Sequence, residues 1–221
     1  MFPAAAALDH STWDRILDRA RELAAPCALC PRQCGVDRIA GQTGFCRATD
    51  IMLVSSAFAH HGEEPPFSGT RGSGTIFFAH CTLKCVFCQN YELSHAGRGQ
   101  AMSPEQLANR MLWLQDQGCH NINLVTAAHY IPWWLEALRS AVAQGLSIPV
   151  LYNCGGYESP ETIDLLDGIV DIYLPDMKYM DGEAAALYSA GARDYPAITR
   201  EAVLEMYGQV GDLVTDAQGR A

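Results

Sequence analysis

Residues 75–88 decide the fold of this chain and read Thr-Ile-Phe-Phe-Ala-His-Cys-Thr-Leu-Lys-Cys-Val-Phe-Cys. The first five residues are apolar or β-branched, which predicts a short buried strand over residues 75–79. Three cysteines follow directly, Cys81, Cys85 and Cys88, and their thiolates are soft ligands that suit an iron-sulfur cluster. A cluster of four irons with three protein thiolates keeps one iron open for another ligand, as a catalytic metal site requires.

Further apolar runs predict three more strands, over residues 121–125, 149–153 and 169–174. Helices are predicted between the strands, each with a proline near its start and a glycine just after its end: Ser103-Pro104 to Gly118, Pro132 to Gly145, and Ser159-Pro160 to Gly168. This alternation is typical of an α/β fold with a parallel sheet. An earlier helix is predicted to begin with a capping box, Ser11-x-x-Asp14, and to end before Pro26.

Polar and glycine-containing segments follow the last three strands, at residues 126–130, 153–157 and 175–178. Functional groups of β/α barrels lie at the carboxyl ends of the strands, so these segments are expected to meet the three cysteines. The chain has two lysines, Lys84 and Lys178, and both fall in these predicted site loops.

Cys27, Cys30, Cys34 and Cys46 form a second set of thiols, here called the four-cysteine group, in a segment (27–74) predicted to be irregular. Four thiols complete a closed coordination shell, so the group is a candidate second metal site for structural zinc or for a second iron-sulfur cluster. The spacing does not separate these two metals, nor does it separate a metal site from reduced, packed thiols.

Composition excludes several classes of protein. The 221 residues carry 15 basic and 25 acidic side chains, and the net charge of -10 argues against a nucleic-acid partner. The sequence shows neither a membrane-spanning segment nor an export signal, so no membrane partner and a cytoplasmic location are expected. In a reducing compartment, nine cysteines favour metal binding over disulfides, and Cys119 and Cys154 are expected to be ordinary buried thiols.

The spacing Cys-x-x-x-Cys-x-x-Cys, with the aromatic Phe87 before the third cysteine, resembles the signature of the radical S-adenosylmethionine (SAM) superfamily. Residues 61–66, 72–78 and 87–94 are similar to one branch, the proteins related to pyruvate formate-lyase activating enzymes. With residues 121–126 and 152–179, the resemblance extends over most of the chain.

The resemblance implies a partial TIM-like radical SAM β/α barrel, with four recognisable β/α units behind a cysteine-rich irregular amino-terminal segment. Residues 1–74 would form the amino-terminal helix and that segment. Residues 75–221 would form the core, which is expected to be incomplete at its carboxyl end because family cores usually have six units.

The resemblance also implies an oxidoreductase. A 4Fe-4S cluster on Cys81, Cys85 and Cys88 would bind SAM at its open iron and cleave it to a 5'-deoxyadenosyl radical, which abstracts hydrogen from an unknown protein or small molecule. Activation of a glycyl-radical enzyme is the role that the branch suggests, with a flavodoxin or ferredoxin as electron donor. No catalytic side chain is implied beyond the cluster ligands.

Four residues are implied to contact the cofactor: Phe87, Asn153, Asp176 and Lys178. Asp176-x-Lys178 is similar to a family motif near the SAM carboxylate, and the alternative for this pair is a solvated turn. Gly155 and Gly156 follow Asn153 and would allow a close backbone approach to SAM, with a plain tight turn as the alternative.

The chain departs from the family pattern at two places. His80 stands where relatives usually have glycine, and residues 127–130 replace the Gly-Gly-Glu motif of many activating enzymes. His129 in that segment either takes over polar contacts or packs in the core. The alternative function, a non-catalytic iron-sulfur or zinc protein for structure or electron transfer, predicts a fourth protein ligand near Cys81.

Overall fold

A mixed six-stranded sheet organises the molecule, which the computed structural model describes over residues 3–221. Its strand order is β3-β1-β2-β4-β5-β6. β2, β4, β5 and β6 run parallel, whereas β1 is antiparallel to both of its neighbours. The strands are β1 (Leu53–His60), β2 (Ser73–Phe78), β3 (Gln100–Ala101), β4 (Ile122–Val125), β5 (Val150–Cys154) and β6 (Ile172–Pro175).

Helices connect the parallel strands and follow the last of them. The α-helices are α1 (His10–Ala24), α2 (Pro65–Ser68), α3 (Tyr91–Ser94), α4 (Pro104–Asp116), α5 (Ile131–Ala143), α6 (Pro160–Leu165), α7 (Gly182–Tyr188) and α8 (Tyr195–Val210). Short 3-10 helices cover Ala4–Ala7 and Ala128–Tyr130. None of the helices in the described part of the chain is long and apolar enough to cross a membrane.

The four predicted strands correspond to β2, β4, β5 and β6, and helices occupy the three predicted intervals between them. At the start of α4 the capping box is complete, because Ser103 Oγ accepts from the Gln106 N–H (3.2 Å) and Gln106 Oε1 accepts from the Ser103 N–H (2.9 Å). The predicted cap of α1 is wrong by two residues. Asp9 caps this helix by accepting from the Thr12 N–H (2.8 Å), so Ser11 lies within the first turn of the helix.

The expectation of irregular structure over residues 27–74 is wrong in its second half. Residues 25–52 contain no helix or strand, but β1 and α2 follow. β1 has no clear alternation of buried and exposed side chains, so its sequence does not show the period of two that predicts a strand. The sheet therefore has six strands where four were predicted.

β1 pairs with β2 from Val54 opposite Phe78 to His60 opposite Ser73. This pairing crosses the proposed division between residues 1–74 and 75–221, which stays a prediction. The sheet is open, with β3 and β6 at its edges, so it does not close into a barrel.

The two faces of the sheet have different chemistry, because successive side chains of a strand point to opposite faces. Ile76, Leu124 and Tyr152 belong to the main hydrophobic core, where α4 and α5 pack. The alternate positions of the same strands form the other face, which is more polar and includes Asn123 and Asn153. This second face is the one available for a ligand.

Candidate active site

A cavity of about 660 Å³ lies at the carboxyl ends of the four parallel strands. Its wall contains both polar and apolar side chains, among them Glu63, Phe77 and Leu174. All seven residues proposed from the sequence for the catalytic cluster and for SAM line this cavity: Cys81, Cys85, Phe87, Cys88, Asn153, Asp176 and Lys178. The fold thus brings residues from three strand ends to one place.

The loop that carries Cys81, Cys85 and Cys88, here called the cysteine loop, leaves β2 through a left-handed turn. His80 has a φ of +73°, a conformation that glycine adopts without strain and other residues adopt rarely. The His80 N–H donates to the Leu93 carbonyl (2.8 Å), which fixes the turn just before Cys81. A glycine would adopt this turn without strain, and here a histidine occupies it. The His80 ring lies against Gly97, where a Cβ atom would overlap it.

Each sulfur of the cysteine loop accepts a hydrogen bond. The donors are the Leu83 N–H to Cys81 (3.4 Å), the Ser189 hydroxyl to Cys85 (2.9 Å) and the Ser94 hydroxyl to Cys88 (3.3 Å). Hydrogen bonds of this kind stabilise negative charge on sulfur and tune the potential of iron-sulfur clusters. Burial raises the pKa of the Cys81 thiol to about 11, so metal binding has to displace its proton.

This donor set fits a four-iron cluster with one open iron. Within residues 3–221 no three His, Cys, Asp or Glu side chains converge closely enough to hold a single metal ion. A cubane does not require such convergence, since its thiolates bind separate irons. Cys154 also lines the cavity, but burial, and after it the charge of Glu158, raises the pKa of its thiol well above the usual value. It is therefore a poor fourth ligand.

The ends of β5 and β6 are held by one tyrosine. Tyr195 Oη accepts from the Lys178 N–H (2.9 Å) and lies 2.7 Å from the Gly155 carbonyl and 2.9 Å from the Asp176 carbonyl. Gly156 has a φ of +75°, and a Cβ atom there would overlap the Asp176 carbonyl. The glycine is thus required for the close approach of the two strand ends.

Lys178 forms an ion pair with Asp176 at the cavity wall. Burial lowers the pKa of Lys178, but the hydrogen bond and charge of Asp176 outweigh this effect, so its pKa is raised. The lysine is therefore a fully charged ammonium group that can also attract a ligand carboxylate.

Glu63, in the loop after β1, belongs to the site but was not predicted from the sequence. Its Oε2 accepts from Nδ2 of Asn123 (2.7 Å) and of Asn153 (3.4 Å). Burial raises the pKa of Glu63, and a hydrogen bond with Glu64 raises it further. Asn123 is fully buried, and its Oδ1 has no partner among the described residues. The similarity of residues 61–66 to the family was the one sequence signal for this loop. Because β1 was not predicted, the position of the loop in the fold could not be predicted either.

Phe87 is exposed at the cavity, whereas His129 is buried. Phe87 is 58% exposed at the cavity and lies edge-on to the Tyr179 ring, with centroids 6.1 Å apart. His129 is buried with Nε2 2.8 Å from the Ala79 carbonyl oxygen, and burial lowers its pKa to about 3. Of the two alternatives for His129, the structure shows the packed, neutral one.

The amino-terminal cysteine segment packs directly against the cysteine loop. Lys84 Nζ donates to the Phe45 carbonyl (2.8 Å), and Arg32 donates to the Thr82 carbonyl (3.1 Å). Arg32 also donates to the carbonyl of Ser189, whose hydroxyl donates a hydrogen bond to Cys85 Sγ. Cys27, Cys30 and Cys46 of the four-cysteine group are buried, and Cys34 is half-buried. Cys119 and Cys154 are also buried.

A family model described as the radical SAM superfamily matches residues 75–209. The chain belongs to this superfamily. Membership implies an enzyme of the radical SAM type, with a 4Fe-4S cluster and SAM as cofactors. The match covers the cysteine loop and all four parallel strands except the first two residues of β2.

Over 198 residues the chain is 30% identical to the uncharacterized protein MJ0674 of Methanocaldococcus jannaschii. The similar region is 86% of this chain and 56% of that protein, so the chain spans little more than half of the relative's length. No solved structure matches the chain. The narrower relation to pyruvate formate-lyase activating enzymes stays a prediction.

Proposed function

We propose that this chain cleaves SAM reductively at a 4Fe-4S cluster held by Cys81, Cys85 and Cys88, and that it abstracts hydrogen from a substrate. When bound, the cluster supplies the electron that splits SAM into methionine and a 5'-deoxyadenosyl radical. One observation carries the proposal. Three thiols, each with a hydrogen-bond donor, face a cavity of about 660 Å³ that has polar side chains in its wall and a volume in the usual range of small-molecule sites.

The side chains of the cavity would bind and orient SAM. Lys178 offers an ammonium group to the SAM carboxylate, and its ion pair with Asp176 holds that group at the wall. Asn153 presents polar atoms at the end of β5, close to Gly155, which also lines the cavity. Phe87, on the cysteine loop, would shield the ligand from water. No side chain has to act as a general acid or base.

The finer parts of the proposal concern partners and substrate. Similarity of residues 61–66 and 87–94 to activating enzymes supports a glycyl-radical enzyme as substrate, with another protein or a small molecule equally compatible with the site. Reduction of the cluster needs an electron donor such as flavodoxin or ferredoxin. Nine free cysteines support a reducing, cytoplasmic location. We also propose a second metal, zinc or an iron-sulfur cluster, at the four-cysteine group.

The test is anaerobic reconstitution with iron and sulfide, reduction with dithionite, and chromatography for 5'-deoxyadenosine. The wild-type protein should produce 5'-deoxyadenosine, and adding SAM should change the electron paramagnetic resonance spectrum of the reduced cluster. Cys81→Ser, Cys85→Ser and Cys88→Ser should each abolish the product. Cys119→Ser, a buried thiol of the hydrophobic core, is the matched control and should retain it. An unchanged spectrum with SAM would reject the proposal.

A further inference from the structure

One row of paired residues, here called the floor, crosses the four parallel strands and lines the cavity. It consists of Phe77, Val125, Asn153 and Leu174. In β2, β4 and β5 the floor residue is the one residue of its strand that is not buried. Three of the four side chains are apolar, so the floor offers an apolar surface to a ligand in the cavity.

A carboxyl group lies over this floor. Glu63 Oε2 accepts from Nδ2 of Asn153 in the floor (3.4 Å) and from Nδ2 of Asn123 (2.7 Å). Asn123 lies two positions before Val125 and therefore points to the same face of the sheet. The next residue, Glu64, also lines the cavity. Within residues 3–221, neither glutamate forms an ion pair.

The basic side chains of the cavity do not balance these two carboxyl groups. Lys178 is the one lysine or arginine among the described residues of the wall, and it is paired with Asp176. His60 also lines the cavity, but its Nδ1 accepts from the Gly62 N–H (3.3 Å), so this nitrogen carries no proton. The cavity therefore has a carboxylate region without a counter-ion.

A hydrogen-bond donor is missing at the same place. Asn123 is fully buried, and its Oδ1 has no partner among the described residues, while its Nδ2 is turned toward Glu63. Buried polar groups in proteins are normally hydrogen-bonded. The carboxylate and the amide next to it thus both lack a group that donates hydrogen bonds, and the carboxylate also lacks a positive charge.

We propose that the substrate of this cavity is a primary amine on an apolar stem. Its ammonium group binds Glu63, and its stem lies on the floor. An ammonium group has three N–H donors and no acceptor, which matches a region with more acceptors than donors. A guanidinium group fits less well, because Glu63 Oε2 already accepts from two amides and bidentate pairing needs both oxygens. This substrate class rests on the proposed function, since the cavity is the same.

The test uses the anaerobically reconstituted protein and isothermal titration with n-hexylamine. The matched uncharged probe is 1-hexanol, which has the same stem. The amine should bind at least about tenfold more tightly than the alcohol, because it forms a hydrogen bond between charged groups. Shortening the amine should weaken binding by about fourfold for each methylene group removed. Equal affinities for hexylamine and 1-hexanol would overturn the proposal.

Glu63→Gln tests the carboxylate, since glutamine keeps an acceptor for Asn123 but has no charge. Hexylamine should bind this variant at least about tenfold more weakly than the wild type. Glu201→Gln, exposed on α8, removes a charge outside the cavity and should bind hexylamine normally. An unchanged affinity in Glu63→Gln would contradict the role of Glu63. If Glu63→Gln does not fold, the comparison of hexylamine with 1-hexanol in the wild type still decides.

SAM also carries an ammonium group, so it is the alternative occupant of the carboxylate region. Hexylamine is therefore titrated again in the presence of saturating SAM. Its affinity should be equal or higher, because the two ligands would occupy different parts of the cavity. A loss of affinity that grows with the SAM concentration would show that Glu63 holds SAM, and would overturn the substrate class.

Formation of 5'-deoxyadenosine with dithionite is a separate readout. Its absence would reject the proposed function, whatever the result with hexylamine. Its presence without selective binding of hexylamine would reject only the substrate class. The two failures are thus distinguishable in one set of samples.

Discussion

Asn123 donates a hydrogen bond of 2.7 Å to Glu63, and this contact attaches the loop after β1 to the centre of β4. The two residues are 60 positions apart in the chain, and the bond lies on the polar face of the sheet beside the cavity. The carboxylate of Glu63 therefore both positions the loop and contributes negative charge to the site. These two roles are separable by substitution.

Glu63→Ala should lower the free energy of unfolding by about 1–3 kcal/mol, because it leaves the buried amide of Asn123 without its acceptor. Glu63→Gln keeps an acceptor oxygen, so its loss should be under about 1 kcal/mol. Urea unfolding at pH 7 measures both. Equal losses in the two variants would show that the charge of Glu63, and not its hydrogen bond, holds the loop.

Tyr195→Phe should loosen the ends of β5 and β6, since the hydroxyl contacts backbone groups of both. We expect a loss of about 1–3 kcal/mol in the free energy of unfolding. We also expect weaker SAM binding by isothermal titration to the reconstituted protein. Tyr207→Phe removes an exposed hydroxyl from the same helix and should change neither quantity. If Tyr195→Phe binds SAM as tightly as the wild type, the hydroxyl of Tyr195 does not contribute to SAM binding.

Gly156→Ala should be strongly destabilising and should weaken SAM binding, because the added Cβ atom overlaps the Asp176 carbonyl. Gly168→Ala is the matched control. Its φ of +70° is similar to the +75° of Gly156, but nothing lies within 4 Å of the added atom. The difference between the two melting temperatures isolates the overlap from the backbone strain that both share. Equal melting temperatures would contradict the close approach of β5 and β6.

Glu158 should make stability depend on pH. Burial raises its pKa from 4.5 to about 8 in the folded protein, where Tyr152 Oη donates to it (3.1 Å) and Cys154 and Cys30 are the other titratable neighbours. The folded state therefore binds the proton more tightly than the unfolded state. The stabilisation is complete below the unfolded pKa and is lost as the pH rises through about 8.

The measurement is the urea midpoint from about pH 5 to about pH 9 for the wild type and Glu158→Gln. The midpoint of the wild type should fall over this range by more than that of the variant, which has no group to ionise at this position. Parallel curves for the two proteins would mean that Glu158 is ionised throughout.

The predictable part of the site was local in the sequence. Cys81, Cys85 and Cys88 share one loop, and Asp176 and Lys178 directly follow a strand whose apolar run is evident. Parallel strands bring their carboxyl ends to one edge, so this local pattern was sufficient to place these residues around one cavity.

The residues that were missed act over long distances. Tyr195 contacts Gly155, which lies 40 positions earlier in the chain. Nothing else in the sequence of its helix indicates a part in the site. Glu63 depends on β1, which lacks the alternation that predicts a strand because it is half-buried along most of its length. None of these relationships has a signature in residue spacing.

The position of Tyr195 also orders events during synthesis. The tyrosine begins α8, which follows all six strands in the chain, so the ends of β5 and β6 gain their shared hydroxyl only after α8 has left the ribosome. The cysteine loop and the β1–β2 pair are complete in the nascent chain long before that point. The thiols of this loop are therefore synthesised before the hydroxyl group that holds the proposed SAM-binding wall together.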